Sequence, residues 1–219
     1  MADLSCLKSI QPNYPRSDLS IFLIAIPVWP MPDWCMPLPI IWTIGHSTRT
    51  IEEFIALLKA HAIQRLVDVR TIPRSRHNPQ FNTEALAKSL KRAKLTYIHM
   101  PQLGGLRKAE KRSSNDGWKN ASFRGYADYM ETETFWTALV DLIADSRDIK
   151  SAIMCAEAVP WRCHRSLIAD ALLSKKWAVR HIMSETKADE HQMTSFAVIT
   201  HRRITYPAPR HSEGEPKLF

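Results

Sequence analysis

The sequence has few glycines, few cysteines and no apolar run long enough to cross a bilayer. Only six of its 219 residues are glycine, so the adjacent pair Gly104-Gly105 stands out as a stopping point for regular structure. The four cysteines, Cys6, Cys35, Cys155 and Cys163, form no regular framework. That sets aside a disulfide scaffold and favours a reduced, cytoplasmic protein. The most apolar stretch, Leu19 to Trp29, is shorter than the roughly 20 residues a spanning helix needs, so no membrane partner is expected. It has the look of a signal-peptide core. However, Asp18 adjoins it, no small-residue cleavage site follows, and Pro27, Pro30, Pro32, Pro37 and Pro39 crowd the region. Residues 1–38 therefore read as a poorly ordered extension, or as the result of a start codon placed too early, with Met36 as the alternative start. No internal repeat is visible.

What is present looks like an ordinary soluble globular protein, 45% hydrophobic and 24% charged. A net charge of +8 favours a polyanionic or phosphorylated partner. From Ile40 onward, strand and helix patterns alternate. An apolar run ends at Gly45-His46-Ser47, and Thr50 followed by Glu53 has capping-box spacing. Ile51, Phe54, Ile55 and Leu58 then share a helical face. Strands follow at Arg65–Arg70, Thr96–Met100, Ala152–Met154 and Ala178–Met183. Helices are expected from about Asn82, from Tyr126 to about Asp145, and over Leu167–Leu172. The alternation predicts one α/β, Rossmann-like domain over residues 39–184. Its sheet would be mostly parallel, of about five strands, with helices on both faces. Residues 185–219 read as an edge strand at Phe196–Ile199 and a loose tail.

The polar residues gather at strand ends. His46 follows the first strand, Arg70, Arg74 and Arg76 the second, His99 the third, and Cys155 and Glu157 the fourth. In a parallel sheet these points share the carboxyl edge, where open α/β sheets bind ligands. After Cys155 come Arg162, Cys163, His164 and Arg165 at the start of a helix. Unpaired N–H groups and the helix dipole there favour anions and thiolates.

Six pieces carry a family resemblance: TIGHS at 43–47, DVRTIPRSR at 68–76, Phe81, YIHMPQLGG at 97–105, FRGYADYM at 123–130, and MCAEAVPWRCHRSLIAD at 154–170. In this order they resemble the family called domain of unknown function 488, over roughly residues 40–183. The resemblance implies the fold and the site and leaves the reaction open.

Three chemistries fit these residues. In one, Cys155 is a nucleophile, since a strand-ending cysteine followed by Arg162 and a helix is similar to the cradle of rhodaneses and low-molecular-weight phosphatases. The intervening AEAVPW has no glycine and carries Glu157, and a carboxylate opposes both a thiolate and a phosphate. In the second, the site works without a thiol. His46, His99 or Glu157 moves the proton, and Arg70, Arg74, Arg76, Arg162, Cys163, His164 and Arg165 bind an anion, with Glu157 accepting from Arg165. The third is nucleic-acid binding. Residues 70–124 hold thirteen Lys or Arg against three acids. Lys108, Lys111, Arg112 and Arg124 would meet phosphates, while Trp118, Phe123 and Tyr126 would stack on bases. A metal site from Cys155, Cys163, His164, His46 and His99 is a further reading, but Cys163-His164 with Cys155 eight residues earlier is no usual zinc spacing, so neither a metal nor another cofactor is expected. Between the two thiols, Cys155 should be the more buried, and Cys163 has the better field for ionisation.

Overall fold

The computed structural model describes residues 38–200 and 203–208. The expectations for the N-terminal extension through residue 37 and for the tail beyond residue 208 lie outside the described residues.

A six-stranded sheet forms the frame, in the order β3-β2-β4-β1-β5-β6. The strands are β1 (Ile40–Gly45), β2 (Arg65–Asp68), β3 (Thr96–His99), β4 (Ser151–Cys155), β5 (Ala178–Ile182) and β6 (Ala188–Glu190). All pairings are parallel except β5 with β6. The helices are α1 (Ile51–Ala60), α2 (Thr83–Arg92), α3 (Ala121–Tyr129), α4 (Glu133–Asp145) and α5 (Arg165–Ser174). Thr50 closes a complete capping box on α1, as its spacing from Glu53 predicts.

Strand alternation divides the core into two layers. Trp42, Ile44, Leu66, Ala152 and Met154 pack with Phe54, Leu58, Leu86 and Leu90 of α1 and α2. Ile41, Val67, Ile153 and Val179 pack on the other side with residues of α3, α4 and α5. Helices therefore cover both faces. The neighbours β1 and β4 send their connections to opposite faces, α1 to one and α5 to the other. That divergence opens a crevice at their carboxyl ends, the position where such sheets bind ligands.

Two elements differ from expectation. The long helix over Tyr126–Asp145 is two helices, because Asn120 and Thr132 each cap a fresh start: Asn120 accepts from Ser122 N at 2.8 Å and Thr132 from Phe135 N at 3.4 Å. The edge strand is Ala188–Glu190, whereas Val198–Thr200 pairs with Arg203–Thr205 in a separate antiparallel hairpin.

Candidate active site

Alternation along the strands also sorts the polar residues. Thr43 on β1, Cys155 at the end of β4 and His181 on β5 fall on the α5 side. Asp68 on β2 and Tyr97 on β3 fall on the α1–α2 side. The single convergent site expected at the carboxyl edge is thus two adjoining pockets. The connection after β4 is their common wall, since Ala156 and Glu157 line both.

The first pocket, about 410 Å³, is lined by His46, Ser47, Arg70, Arg74, Asn78 and Ala158, among others. Its floor is a buried network. Arg70 donates from Nε to Asp68 Oδ1 at 2.8 Å, from Nη2 to Asp68 Oδ2 at 2.6 Å and to the Phe81 carbonyl at 2.7 Å. Its Nη1 stands 3.3 Å from His46 Nε2. Tyr97 donates to the same carboxylate at 2.9 Å, and burial, then the Asp68 charge, keep that phenol protonated. His46 stacks on Phe81 with ring centroids 4.2 Å apart. Its Nδ1 lies 2.7 Å from the Ser47 carbonyl, which fixes the ring as an Nδ1–H donor and an Nε2 acceptor. Burial, opposed by that hydrogen bond and helped by the Arg70 charge, lowers the His46 pKa to about 4.

The expected anion-binding role of Arg70 is corrected to a mainly structural one, because most of its donors face Asp68, Phe81 and His46. Arg74 is exposed and lines the pocket, and among the described residues it has no ion-pair partner. Arg76 is exposed and lines neither pocket. His99 is also set apart: its Nε2 lies 2.8 Å from the Arg70 carbonyl, and its cavity is a different one beside α4.

The second pocket, about 320 Å³, contains Cys155, Cys163 and His164, with Arg162 at its exposed rim. A short 3₁₀ turn, Pro160–Arg162, brings the chain back so that Cys163 precedes α5. Cys163 is 4% exposed and Arg165 is 1% exposed. Arg165 donates from Nε to Cys163 Sγ at 3.4 Å and from Nη1 to Thr43 Oγ1 at 3.2 Å. Its Nη2 donates to the carbonyls of Glu157 at 2.5 Å and Ala158 at 3.4 Å. Two expectations are corrected here. Arg165 is engaged inside the fold and does not face a substrate anion. It meets the backbone of Glu157, whose carboxylate instead accepts from Ala158 N at 3.0 Å.

The two thiols act as a pair. A hydrogen bond from the Cys155 thiol, more than His164 and the Arg165 charge, holds the Cys163 thiol well below its ordinary value against the opposing effect of burial. The same hydrogen bond, then burial and the Cys163 charge, push Cys155 well above. Cys163 is thus the more acidic thiol, and it is also the more buried of the two: Cys155 is half-buried. The burial order expected from the sequence is reversed, because Cys155 ends its strand at the pocket wall.

A hydrogen-bonded line extends from Arg165 away from the sulfur. Thr43 Oγ1 is 2.7 Å from His181 Nδ1, His181 Nε2 is 3.0 Å from His191 Nδ1, and His191 Nε2 is 2.9 Å from Asp170 Oδ1. Asp170 also accepts from Thr194 N, Thr194 Oγ1 and the Tyr206 hydroxyl. An ionised Asp170 only accepts, so with neutral rings every proton in the line points from Arg165 toward Asp170. Burial, then the His191 and Arg165 charges, lower the His181 pKa to about 3. The sequence reading missed Thr43, Asp68, Asp170, His181 and His191. For Asp68 a signal was available, two residues before Arg70 and on the same strand face. His191 lies in an irregular segment with no local signal.

The basic segment separates into parts. Lys108, Lys111 and Arg112 are exposed and Arg124 is half-buried. Trp118 is half-buried. Its ring packs on Phe123, Phe196 and Tyr206, with centroids 4.8, 5.0 and 5.6 Å away. Tyr126 is buried and donates to the Leu103 carbonyl at 2.8 Å. The loop before α3 is tied down by Asp128, which accepts from Glu110 N at 2.8 Å and Asn115 Nδ2 at 2.9 Å.

The family model described as "Domain of unknown function DUF488" matches residues 50–172, more than half of the chain. The chain belongs to the DUF488 family. The matched span contains both pockets' arginines and both thiols, whereas the DUF488 match ends before His181 and His191. No curated protein and no solved structure matches the chain. Among the described residues no helix is long and apolar enough to cross a membrane.

Proposed function

We propose that the chain is a cysteine-dependent enzyme acting on a phosphorylated or nucleic-acid substrate at the carboxyl edge of its sheet. The observation that carries this reading is the surroundings of Arg165. Its guanidinium is buried, donates to Cys163 Sγ, and among the described residues has no carboxylate within ion-pair distance. A buried cation needs a close anion, and the Cys163 thiolate is the one in contact. In this reading Cys163 attacks an electrophilic atom of the substrate, and the neighbouring Cys155 thiol, within 4.8 Å, supplies the proton to the leaving group. The substrate's anionic part would occupy the adjoining pocket, against Arg74, Ser47 and Asn78, with His46 as a neutral acceptor.

Alkylation by iodoacetamide at pH 6.5, with chelator present and resolved by peptide mass spectrometry, tests this. An ordinary thiol is only about 1% ionised at that pH. Cys163 should therefore react at least about tenfold faster than added glutathione, after allowance for burial and for the lower nucleophilicity of an acidic thiol. Cys155→Ala should slow it by removing the donor. If neither Cys155 nor Cys163 outpaces glutathione, thiol chemistry is wrong and the site is an Arg/His/Glu one.

The exposure of Lys108, Lys111 and Arg112 favours a nucleic acid as the polyanion. Replacing all three with Ala should reduce the slope of log affinity against log salt by about 2 to 3, at roughly 0.7–0.9 per phosphate contact. An unchanged slope in filter-binding titrations would confine the substrate to a small phosphorylated molecule.

A further inference from the structure

We propose that Cys155 Sγ, Cys163 Sγ and His164 Nδ1 form a three-ligand site for one thiophilic metal ion of the Zn²⁺ class, with its fourth position open to the second pocket. The three atoms lie within 4.8 Å of one another, with Nδ1 at 4.0 Å from Cys155 Sγ and 3.7 Å from Cys163 Sγ. Tetrahedral zinc with bonds of about 2.3 Å to sulfur and 2.0 Å to nitrogen places its ligands about 3.5–3.8 Å apart. Small side-chain rotations close the remaining gap.

The surroundings are those of a ligand set. His164 Nε2 stands 3.3 Å from the Val69 carbonyl, so a neutral ring carries its proton there and presents the Nδ1 lone pair to both sulfurs. Outer hydrogen bonds of this kind orient metal-bound imidazoles. The Arg165 N–H on Cys163 plays the same part for a thiolate. Gly105 keeps the approach clear: a Cβ there would sit 3.0 Å from His164 Nδ1. Beyond it the pocket extends past Ser122, Phe123 and Tyr126, with room for water or a substrate atom at the fourth position.

Two thiolates and an imidazole select soft or borderline ions over Mg²⁺ and Ca²⁺. The adjacent Arg165 charge sharpens that choice, because it repels any cation that does not form strong bonds to sulfur. On binding, the Cys155 proton leaves to solvent and both sulfurs bond the ion. Metal-bound and thiol-reactive forms therefore exclude each other. The inference goes beyond the thiol reading and does not depend on it.

The test uses the full chain carrying Cys6→Ser and Cys35→Ser, so that those two sulfurs do not contribute, reduced and freed of metal with chelator. It is loaded with Zn²⁺ or Cd²⁺ and desalted, and metal per chain is measured by elemental analysis. Thiolate-to-metal absorbance is followed for Cd²⁺. One ion should be retained per chain. Cys155→Ser and His164→Ala, each checked for folding by circular dichroism, should weaken Zn²⁺ by more than the roughly 10–100-fold that loss of an outer partner costs. In the unsubstituted chain Zn²⁺ should protect Cys155 and Cys163 together from alkylation. The proposal is overturned if no ion is retained, if both variants retain it equally, or if Zn²⁺ leaves labelling unchanged. Labelling rates in chelator test the thiol enzyme separately, so either idea can fail alone.

Discussion

Arg70→Met is expected to lower the unfolding free energy by about 3–5 kcal/mol, the usual cost of stripping one partner from a buried ion pair. Asp68 is 0% exposed and accepts from Arg70 Nε, Nη2 and backbone N, and from the Tyr97 hydroxyl. The substitution leaves that carboxylate buried with only the backbone N–H and the phenol. It also frees the Phe81 carbonyl and His46 Nε2. Arg74→Ala gives the opposite pattern. Its side chain is exposed, so stability should stay within about 0.5 kcal/mol, while affinity for inorganic phosphate falls. Urea unfolding and phosphate titration of the two variants separate a structural arginine from a binding one. If Arg70→Met unfolds like the parent yet loses phosphate, the assignment is reversed.

The second large effect is acid sensitivity above the carboxylate range. His46 and His181 are buried and neutral, with pKa values lowered to about 4 and about 3 from 6.5. Below pH 6.5 the unfolded chain takes up protons at these rings and the folded chain does not. Stability is therefore intact above pH 6.5 and is lost as pH falls toward the folded values. From pH 6.5 to 5 the two rings together remove up to about 3 kcal/mol. Burial is the main cause of both folded values; the charges that modify them are Arg70, Asp68 and Arg165 around His46, and His191, Arg165, Asp189 and Cys163 around His181. Denaturant midpoints measured across that window should fall steadily, and His46→Gln should remove about half of the slope. A flat profile would mean that these rings are not held neutral.

The sequence was most legible where a local rule applies. Alternating strand and helix patterns gave the fold, and Thr50 with Glu53 gave a cap at its correct residue. Residues at strand ends were identified because a parallel sheet gathers its carboxyl ends. Which face each residue takes was harder to see, and it divides the site in two: His46 and Arg70 on one side of the Ala156–Ala158 wall, Cys155 and Cys163 on the other. Zinc spacing rules have little to say about such a cluster for a related reason. They describe ligands within one turn or knuckle, and Cys155 and Cys163 come from a strand end and a helix start. Trp118 illustrates a further limit. An aromatic residue among lysines reads as a stacking platform, and nothing local shows that Phe196 and Tyr206, some 80 residues away, pack against it. The reach of Arg165 was illegible too, since its partners span Thr43 to Ala158.

The line from Arg165 through Thr43, His181 and His191 to Asp170 has a consequence for how the molecule comes into being. Cys163, Arg165 and Asp170 leave the ribosome together, but His191, Thr194 and Tyr206 emerge after them. Until those residues dock, Asp170 lacks these donors and His181 keeps only Thr43 as its partner in the line. A chain that stops before them therefore holds both cysteines and Arg165 without the far end of this line. The line is therefore closed only by a stretch that follows both thiols in the chain.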